Sequence, residues 1–333
     1  MLWGLPEYRY DILQKLCMYL VKFGPIPKHV AIIMDGNRRF AASRNMHCSS
    51  GHTEGFSKLS ETLRWCYDLG VEELSVFAFS VENFNRSQEE ISFLFDLAAE
   101  KLQELIDKSD TLSSMGVCVR IIGDITMLPT RIQRIASEMM LKTRHNTRLF
   151  LNICMAYGGQ NELTDAAERI RLGVRNKVLH PSDVNPDLLS QCLYTGHSRP
   201  LDLFIRSSGE VRLSDFLVWQ AAHSGVVHKF VESYWPNFSL WDLLGAILHY
   251  QLTLLQMSRL NPSSPYQATG SSSGSTQRAG VGEKHRTLRI RRFLSQLDRS
   301  HWADLEKRSL SFQAPSNTEP RIIQRSVGDS LLS

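Results

Sequence analysis

A carboxylate beside two arginines lies near the start of the chain. Asp35 is followed by Gly36, Asn37, Arg38 and Arg39, directly after the apolar run HVAIIM. Arginines bind phosphate oxygens in pairs, and the free amides at the start of the next helix would add donors. A carboxylate repels phosphate unless a cation bridges the two, so the pattern predicts a diphosphate site in which Asp35 holds Mg2+. The alternative is an ordinary strand–turn–helix junction with solvated side chains.

Two further polar segments follow predicted strands. Asn83 and Arg86 come after the run LSVFAFS, and Arg86 is suited to join the same anion site. Arg206, Arg212 and Ser214 lie within nine residues after a later apolar run, together with a glycine. Two arginines and several hydroxyl groups in such a short loop predict a second anion site. Two facing phosphate sites indicate two phosphorylated substrates.

His52 is a further candidate for phosphate binding, and three absent motifs argue against particular enzyme classes. His52 follows a glycine just before a predicted helix, where it would contact phosphate or merely cap that helix. The chain has no P-loop motif, no dinucleotide-binding glycine motif after its first strand and no nucleophile elbow. These absences argue against a P-loop nucleoside triphosphatase, a dinucleotide-dependent enzyme and a hydrolase of the nucleophile-elbow type.

Six short apolar runs supply the strands that must position these residues. Each run is almost continuously hydrophobic, as expected of strands covered on both faces of a parallel sheet, and helical patterns fill the gaps. The runs are residues 29–34, 74–80, 117–123, 149–156, 201–206 and 226–230. The prediction is an α/β fold with an open, mostly parallel six-stranded sheet and helices on both faces. Ligands in such sheets bind beyond the carboxyl ends of the strands.

The chain divides into five predicted segments. Residues 1–27 carry an amphipathic helix, which would lie on a membrane surface, line a product exit or pack on the core. Residues 28–258 form the globular domain, and residues 259–285 form a Ser/Gly/Pro-rich flexible linker. Residues 286–312 form a C-terminal helical appendage with one apolar face and a basic remainder, and residues 313–333 are predicted to be disordered.

Composition excludes some partners. The chain carries 38 Lys and Arg against 34 Asp and Glu, and a net charge of +4 is too weak to argue for nucleic acid. Its six cysteines form no C-x-x-C pair, which predicts reduced and mostly buried thiols in a cytosolic environment. No run reaches the length of a membrane span, and the charged N-terminus does not fit a secretory signal.

The motifs in order resemble the signatures of the cis-prenyltransferases, the family of undecaprenyl and dehydrodolichyl diphosphate synthases. The matching segments are residues 29–39, 51–52, 80–86 and 205–220, and the resemblance runs from about residue 24 to residue 258. Trp65-Cys66, residues 214–220 and the tail around residues 291–305 are most similar to the catalytic subunits of animal dehydrodolichyl diphosphate synthase complexes.

The resemblance implies a chain-elongating enzyme that needs Mg2+. Isopentenyl diphosphate units would add to farnesyl diphosphate with cis double bonds, giving a long polyprenyl diphosphate destined for dolichol and protein glycosylation. By motif, Asp35 and Asn83 are catalytic, and Asp35 also holds the metal. The allylic diphosphate would contact Asp35, Gly36, Asn37, Arg38, Arg39, His52 and Arg86, and isopentenyl diphosphate would contact Arg39, Arg206, Arg212 and Ser214. Tunnel candidates, equally suited to the core, are Phe93, Leu94, Leu97, Ala98, Leu102 and Leu105.

Two departures from the family pattern bear on the oligomer. Bacterial members have a metal-site glutamate where this chain has Gly225, flanked by His223 and Ser224. The Arg-x-Gly tail of homodimeric members does not follow the last core helix, and residues 278–280 match only its letters. The resemblance then implies a non-catalytic, membrane-anchored subunit like the Nogo-B receptor, and peripheral attachment to the cytosolic face of the endoplasmic reticulum. The alternative function is a non-catalytic scaffold subunit of such a complex.

Overall fold

The fold is built on one six-stranded sheet in which every pair of neighbouring strands is parallel. The structure, a computed structural model, describes residues 9–223, 225–260 and 281–310. The strand order is β3-β4-β2-β1-β5-β6. The strands are β1 His29–Ile33, β2 Glu73–Ser80, β3 Val117–Ile122, β4 Leu149–Tyr157, β5 Leu203–Arg206 and β6 Val227–Phe230. The predicted six-stranded α/β sheet is confirmed.

Helices cover both faces of this sheet. Alternate residues of β1 point to opposite faces: Val30 and Ile32 join one core cluster, and Ala31 and Ile33 join another. The helices are α1 Ile12–Val21, α2 Asn37–Ser43, α3 Cys48–Leu69, α4 Gln88–Asp107, α5 Ser109–Met115, α6 Thr130–Thr143, α7 Gly159–Arg175, α8 Pro186–Cys192, α9 Val218–His223, α10 Leu240–Leu260 and α11 Val281–Ser309. Short 3-10 helices span Val81–Asn85, Ile125–Met127, Pro181–Asp183 and Trp235–Asn237.

Helix α1 lies on α10 and leaves an apolar face exposed. Its N-terminus carries a capping box in which Asp11 accepts from the Gln14 amide and the Gln14 side chain accepts from Asp11 N–H. Met18 is buried, and Gln251 Nε2 of α10 donates to Val21 O at 2.8 Å. The exposed large side chains are Ile12, Leu13, Leu16, Tyr19, Leu20 and Phe23. Core packing therefore uses only one side of this helix.

Helix α11 is the predicted C-terminal appendage and packs back onto the domain. Phe293 and Leu305 are buried against it, and Arg289 donates to both carboxylate oxygens of Asp183 at 2.9 and 2.8 Å. The helix begins at Val281, inside the segment predicted as linker. The rest of that linker, residues 261–280, and the predicted tail, residues 313–333, lie outside the described residues.

The structure also bears on the predictions about membrane-spanning segments and cysteines. No helix in the described ranges combines the length and apolar character needed to cross a bilayer. All six cysteines are free, with Cys17 and Cys48 partly exposed and the other four buried.

Candidate active site

The three predicted motifs meet around one cavity of about 910 Å3 at the carboxyl ends of β1, β2 and β5. The parallel sheet explains this meeting, because it brings the ends of neighbouring strands to one edge. All eleven predicted site residues line the cavity: Asp35, Gly36, Asn37, Arg38, Arg39, His52, Asn83, Arg86, Arg206, Arg212 and Ser214. The structure thus brings together residues separated by up to 179 positions in the sequence.

Asp35 is the best-connected carboxylate in the cavity. Its Oδ2 accepts from Arg206 Nη2 at 2.8 Å, and its Oδ1 accepts from the Gly36 amide at 2.6 Å and lies 3.3 Å from Arg39 Nη2. Burial alone would raise the pKa of this carboxyl, but the hydrogen bond and charge of Arg206 outweigh burial and hold the pKa below its usual range. Asp35 is therefore ionised at neutral pH.

Glycines bring the first motif close to its neighbours. Gly36 has φ +96°, and a β-carbon there would lie 2.7 Å from Ser208 Oγ. On α3, a β-carbon at Gly51 would lie 2.2 Å from Asn37 O, and one at Gly55 would lie 2.1 Å from Asn37 Oδ1. Only glycine permits this approach of α3 to α2.

Of the two polar atoms of the Asn37 side chain, only the nitrogen has a hydrogen-bond partner among the described residues. Its Nδ2 donates to Met34 O at 3.0 Å, whereas its buried Oδ1 has no hydrogen-bond partner among the described residues. A buried amide oxygen without a donor is costly, so this atom is available to a donor that enters the cavity.

Glu210 holds two arginines together at the cavity mouth. It accepts from Arg39 Nη1 at 2.7 Å through one oxygen and from Arg212 Nη1 through the other. Arg212 and Arg39 hold the pKa of the Glu210 carboxyl below its usual range. Both guanidinium groups remain substantially exposed and can still meet an incoming anion. Glu210 was not predicted as a site residue, although it lies within the arginine-rich loop.

Arg206 lies deeper than the other arginines and connects the first motif to the third. It is only 3% exposed. Besides Asp35, it donates through Nη1 to Arg212 O at 2.6 Å and to Ser214 Oγ at 2.8 Å. Its contacts therefore position Asp35 and the loop that carries Arg212, whereas Arg212 itself faces the mouth.

The loop after β5 has an unusual backbone and is tied to α7. Ser214, Asp215 and Leu217 all have positive φ, between 47° and 58°, in the left-handed region that non-glycine residues rarely adopt. The Gly159 amide donates to Asp215 O at 2.8 Å, and the Gln160 amide donates to the Asp215 carboxylate at 3.2 Å. The start of α7 therefore holds this loop in place.

A second cluster, formed by the lining residues Arg38, His52 and Arg86, surrounds Glu90. Arg86 Nη1 donates to Glu90 Oε1 at 2.8 Å, and Arg38 Nη1 lies 3.9 Å from Glu90 Oε2. His52 Nε2 lies 3.5 Å from Glu90 Oε1. Burial and the charge of Arg86 lower the pKa of His52, so the ring is neutral at pH 7. Glu90 was not predicted as a site residue.

Asn83 lies at the turn that ends β2. Its Oδ1 accepts from the Ser80 amide at 3.1 Å, and its own amide donates to Ser80 Oγ at 3.2 Å. This reciprocal cap fixes the side chain beside the cavity.

The interior of the cavity is apolar. Leu94, Leu97, Ala98, Leu102 and Leu105 of α4 line it, together with Ile153 and Met155 of β4. Phe93, also predicted for this wall, is not among the lining residues, whereas Phe95 is. The predicted face of α4 is thus correct apart from its first position. The cavity therefore has a charged mouth and an apolar interior.

The donor set suits Mg2+ if substrate oxygens complete the shell. Mg2+ takes oxygen ligands, keeps several waters and is usually bound by one or two carboxylates plus phosphates. Asp35 offers an ionised, partly exposed carboxylate at the cavity wall. Gly225 has no side chain to offer, is exposed, and has φ +62°. The neighbouring Ser224 lies outside the described residues.

Comparison with known proteins identifies the family. A family profile described as putative undecaprenyl diphosphate synthase matches residues 33–256. A human dehydrodolichyl diphosphate synthase complex subunit is 43% identical over 257 residues, 77% of either chain. The chain belongs to the cis-prenyltransferase family. It is a prenyltransferase, as the motif resemblance indicated.

Other members of the family agree in sequence and in fold. A tritrans,polycis-undecaprenyl-diphosphate synthase from Methanopyrus kandleri is 40% identical over 242 residues, covering 73% of this chain and 88% of the archaeal one. The crystal structure of lavandulyl diphosphate synthase from Lavandula x intermedia, in complex with dimethylallyl diphosphate, has a TM-score of 0.64 at 32% identity. It covers 68% of this chain and 95% of that one.

Proposed function

We propose that this prenyltransferase adds isopentenyl diphosphate units to farnesyl diphosphate and makes a long dehydrodolichyl diphosphate for dolichol synthesis and protein glycosylation. The observation that carries the proposal is the form of the cavity: arginines from three strand ends surround an ionised carboxylate at its mouth, and apolar side chains line its interior. Such a cavity suits two diphosphates and one growing hydrocarbon chain.

In this proposal the mouth binds two diphosphates through two sets of residues that share Arg39. Asp35, Gly36, Asn37, Arg38, Arg39, His52 and Arg86 hold the allylic diphosphate, and Arg39, Arg206, Arg212 and Ser214 serve isopentenyl diphosphate. Arg38 is exposed and its contact with Glu90 is long, so it can turn to an anion at little cost. Asn83 orients the condensing end of the substrate. The orientation of the two reactants accounts for much of the expected rate enhancement.

Charge at the mouth favours departure of the allylic diphosphate. Asp35 holds Mg2+, which when bound supplies charge that stabilises the leaving diphosphate. The arginines add hydrogen bonds that strengthen as negative charge develops on the departing oxygens. The apolar interior formed by α4 excludes water from the reacting carbons and accepts the lengthening chain.

We also propose that a second, non-catalytic subunit like the Nogo-B receptor completes the enzyme. Support comes from the relatives that are named as subunits of a complex, and from the missing Arg-x-Gly tail after α10. Such a partner is membrane-anchored, so this chain would attach peripherally to the cytosolic face of the endoplasmic reticulum. The exposed apolar face of α1 is compatible with that attachment.

The test is incorporation of labelled isopentenyl diphosphate into butanol-extractable product, with farnesyl diphosphate and Mg2+. The chain is assayed alone and with the partner subunit. Activity only with the partner supports the two-subunit enzyme. Full activity of the chain alone contradicts the need for a partner and directs attention to residues 278–280, which lie outside the described residues. Absence of product in both mixtures favours the alternative of a non-catalytic scaffold.

A further inference from the structure

One cluster of metal-ligand side chains lies beside the allylic diphosphate site, and two of its three members, Cys48 and Glu90, have no role in the proposed reaction. Within the described residues, Cys48, His52 and Glu90 form the one group of three His, Cys, Asp or Glu side chains whose ligand atoms all lie within 4.8 Å of one another. All three residues are partly buried. Cys48 and His52 are four positions apart on α3, so they share one helix face, and Glu90 lies in the first turn of α4.

We propose that Cys48, His52 and Glu90 form a binding site for Zn2+, and that Zn2+ bound there opposes binding of the allylic diphosphate. Thiolate, imidazole and carboxylate are the three side-chain ligands that zinc takes in proteins. Mg2+ prefers oxygen ligands, so the magnesium that the reaction needs competes poorly for a site with sulfur and nitrogen donors.

The geometry requires only a small adjustment. Zinc bonds of about 2.0–2.3 Å place tetrahedral ligand atoms about 3.3–3.8 Å from one another. His52 Nε2 and Glu90 Oε1 are already 3.5 Å apart. His52 Nε2 is also buried and accepts no hydrogen bond from the described residues. A rotation of the Cys48 side chain therefore completes a three-ligand site, and water takes the fourth position.

The effect on the substrate follows from His52, which the metal and the allylic diphosphate would both bind. Glu90 is the shared partner of Arg86 and Arg38, and both guanidinium groups face the cluster. Zn2+ would take this carboxylate and also engage His52, which is proposed to contact the allylic diphosphate. Burial and Glu90 raise the pKa of the Cys48 thiol, so zinc binding at neutral pH releases its proton. The metal-bound and diphosphate-bound arrangements of His52 therefore exclude each other.

Co2+ in place of Zn2+ gives a readout that is independent of turnover. In the full chain, a cobalt–thiolate charge-transfer band in the near ultraviolet reports coordination by Cys48, and Zn2+ should remove this band by displacement. Cys48→Ser should lack the band and bind one Zn2+ fewer than the unsubstituted chain. Cys17→Ser is the matched control, because Cys17 is the other partly exposed cysteine and lies outside this cluster. Equal bands and zinc stoichiometries in Cys48→Ser and the unsubstituted chain would overturn the site.

The inhibitory part rests on the proposed function and is tested separately. With the complete enzyme and excess Mg2+, micromolar Zn2+ should raise the KM for farnesyl diphosphate at least tenfold in the unsubstituted and Cys17→Ser enzymes, with less than a twofold effect in Cys48→Ser. Free Zn2+ is fixed with a metal buffer, so that chelation by substrate is the same in every arm. If the cobalt band is present but the KM values do not differ in this way, the metal site stands and the proposed inhibition of allylic diphosphate binding is wrong.

Discussion

At the scale of single residues, the buried guanidinium of Arg206 joins the two predicted anion sites into one. It bonds to Asp35 on one side and to Ser214 and the Arg212 carbonyl on the other. Its motif predicted contact with isopentenyl diphosphate, but its terminal nitrogens already have protein partners. A buried charge of this kind is tolerated because the Asp35 carboxylate pairs with it directly. Substrate contacts then fall mainly to the exposed arginines at the mouth.

Asp35→Asn should lower kcat by about a hundredfold or more, since removal of one preorganised charged group typically has that effect. The asparagine oxygen can still accept from Arg206, so the free energy of unfolding should fall by only about 1–2 kcal/mol. Labelled-substrate assays and urea unfolding measure the two effects. A kcat within tenfold of the unsubstituted enzyme would contradict the role given to Asp35.

Arg212→Ala should raise the KM for isopentenyl diphosphate by about tenfold, as expected for the loss of one hydrogen bond to a charged group. The KM for farnesyl diphosphate should change much less, because Arg212 is not among the residues assigned to the allylic diphosphate. Arg171→Ala is the control: this arginine is also exposed and paired with a glutamate, but it lies outside the cavity. Equal changes in both KM values would refute the assignment of Arg212 to isopentenyl diphosphate alone.

At the scale of elements, the start of α7 and the loop after β5 support each other. The amides of Gly159 and Gln160 bind Asp215, and the loop that they hold contains three residues with positive φ. Such conformations are costly and persist when surrounding contacts hold them. Asp215 is therefore a positioning residue for Ser214.

Asp215→Ala should raise the KM for isopentenyl diphosphate several-fold, because the loop that carries Ser214 loses its side-chain anchor on α7. Asp215→Asn should stay within about twofold of the unsubstituted enzyme, since its amide oxygen can accept from Gln160 N–H. Steady-state kinetics of both variants distinguish the loss of the hydrogen bond to α7 from the loss of the carboxylate charge. If the asparagine variant is as impaired as the alanine variant, the carboxylate charge matters and the anchoring account is wrong.

Helix α11 should be held less firmly in acid. The hydrogen bonds from Arg289, opposed by burial, keep the pKa of the Asp183 carboxyl below its usual range. A group with a lowered folded-state pKa stabilises the fold above its unfolded pKa, about 3.9 for Asp, and this contribution is lost as pH falls through the folded value. Arg289→Gln should therefore lower the free energy of unfolding at pH 7 and have little effect below about pH 3.

Chemical unfolding followed by circular dichroism at both pH values measures this difference. Lys284→Gln is the matched control, because it removes one positive charge from an exposed position on the same helix. A deficit of Arg289→Gln that is the same at pH 7 and pH 3 would mean that Asp183 does not carry the contact.

At the scale of the whole molecule, α1 and α10, which pack on each other, both leave large apolar side chains exposed. The exposed side chains of α1 are followed by Trp241, Leu248, Leu252 and Leu255 on the helix beneath it. Exposed apolar area of this kind marks a contact with lipid or with another protein. The described chain alone therefore leaves this surface uncovered.

Leu16→Asp should reduce the fraction of protein that floats with phosphatidylcholine vesicles by about tenfold, since insertion of one leucine contributes about 1.5–3 kcal/mol. Leu172→Asp is the control, because it introduces the same charge at an exposed leucine on α7. Equal flotation of both variants would show that α1 does not contact lipid.

Much of the fold followed from local pattern. The six apolar runs became six strands, as their almost continuous hydrophobicity predicted, and the parallel sheet brought the strand ends to one edge. Ion-pair partners were harder to predict. Glu210 and Glu90 act by holding arginines, and nothing in residue type separates such a carboxylate from a solvated one. Phe93 was misplaced because a one-position shift on a helix turns a side chain by about 100°.

The pairing of Asp35 with Arg206 has a consequence for synthesis of the protein. The two residues are 171 positions apart. At about 5–20 residues per second, Arg206 leaves the ribosome on the order of 10–30 s after Asp35. Strand β1 is central in the sheet and one of its two neighbours, β5, is equally late. The nascent chain must therefore wait with an exposed apolar strand edge and an unpaired carboxylate, and this interval is when a chaperone would be most useful.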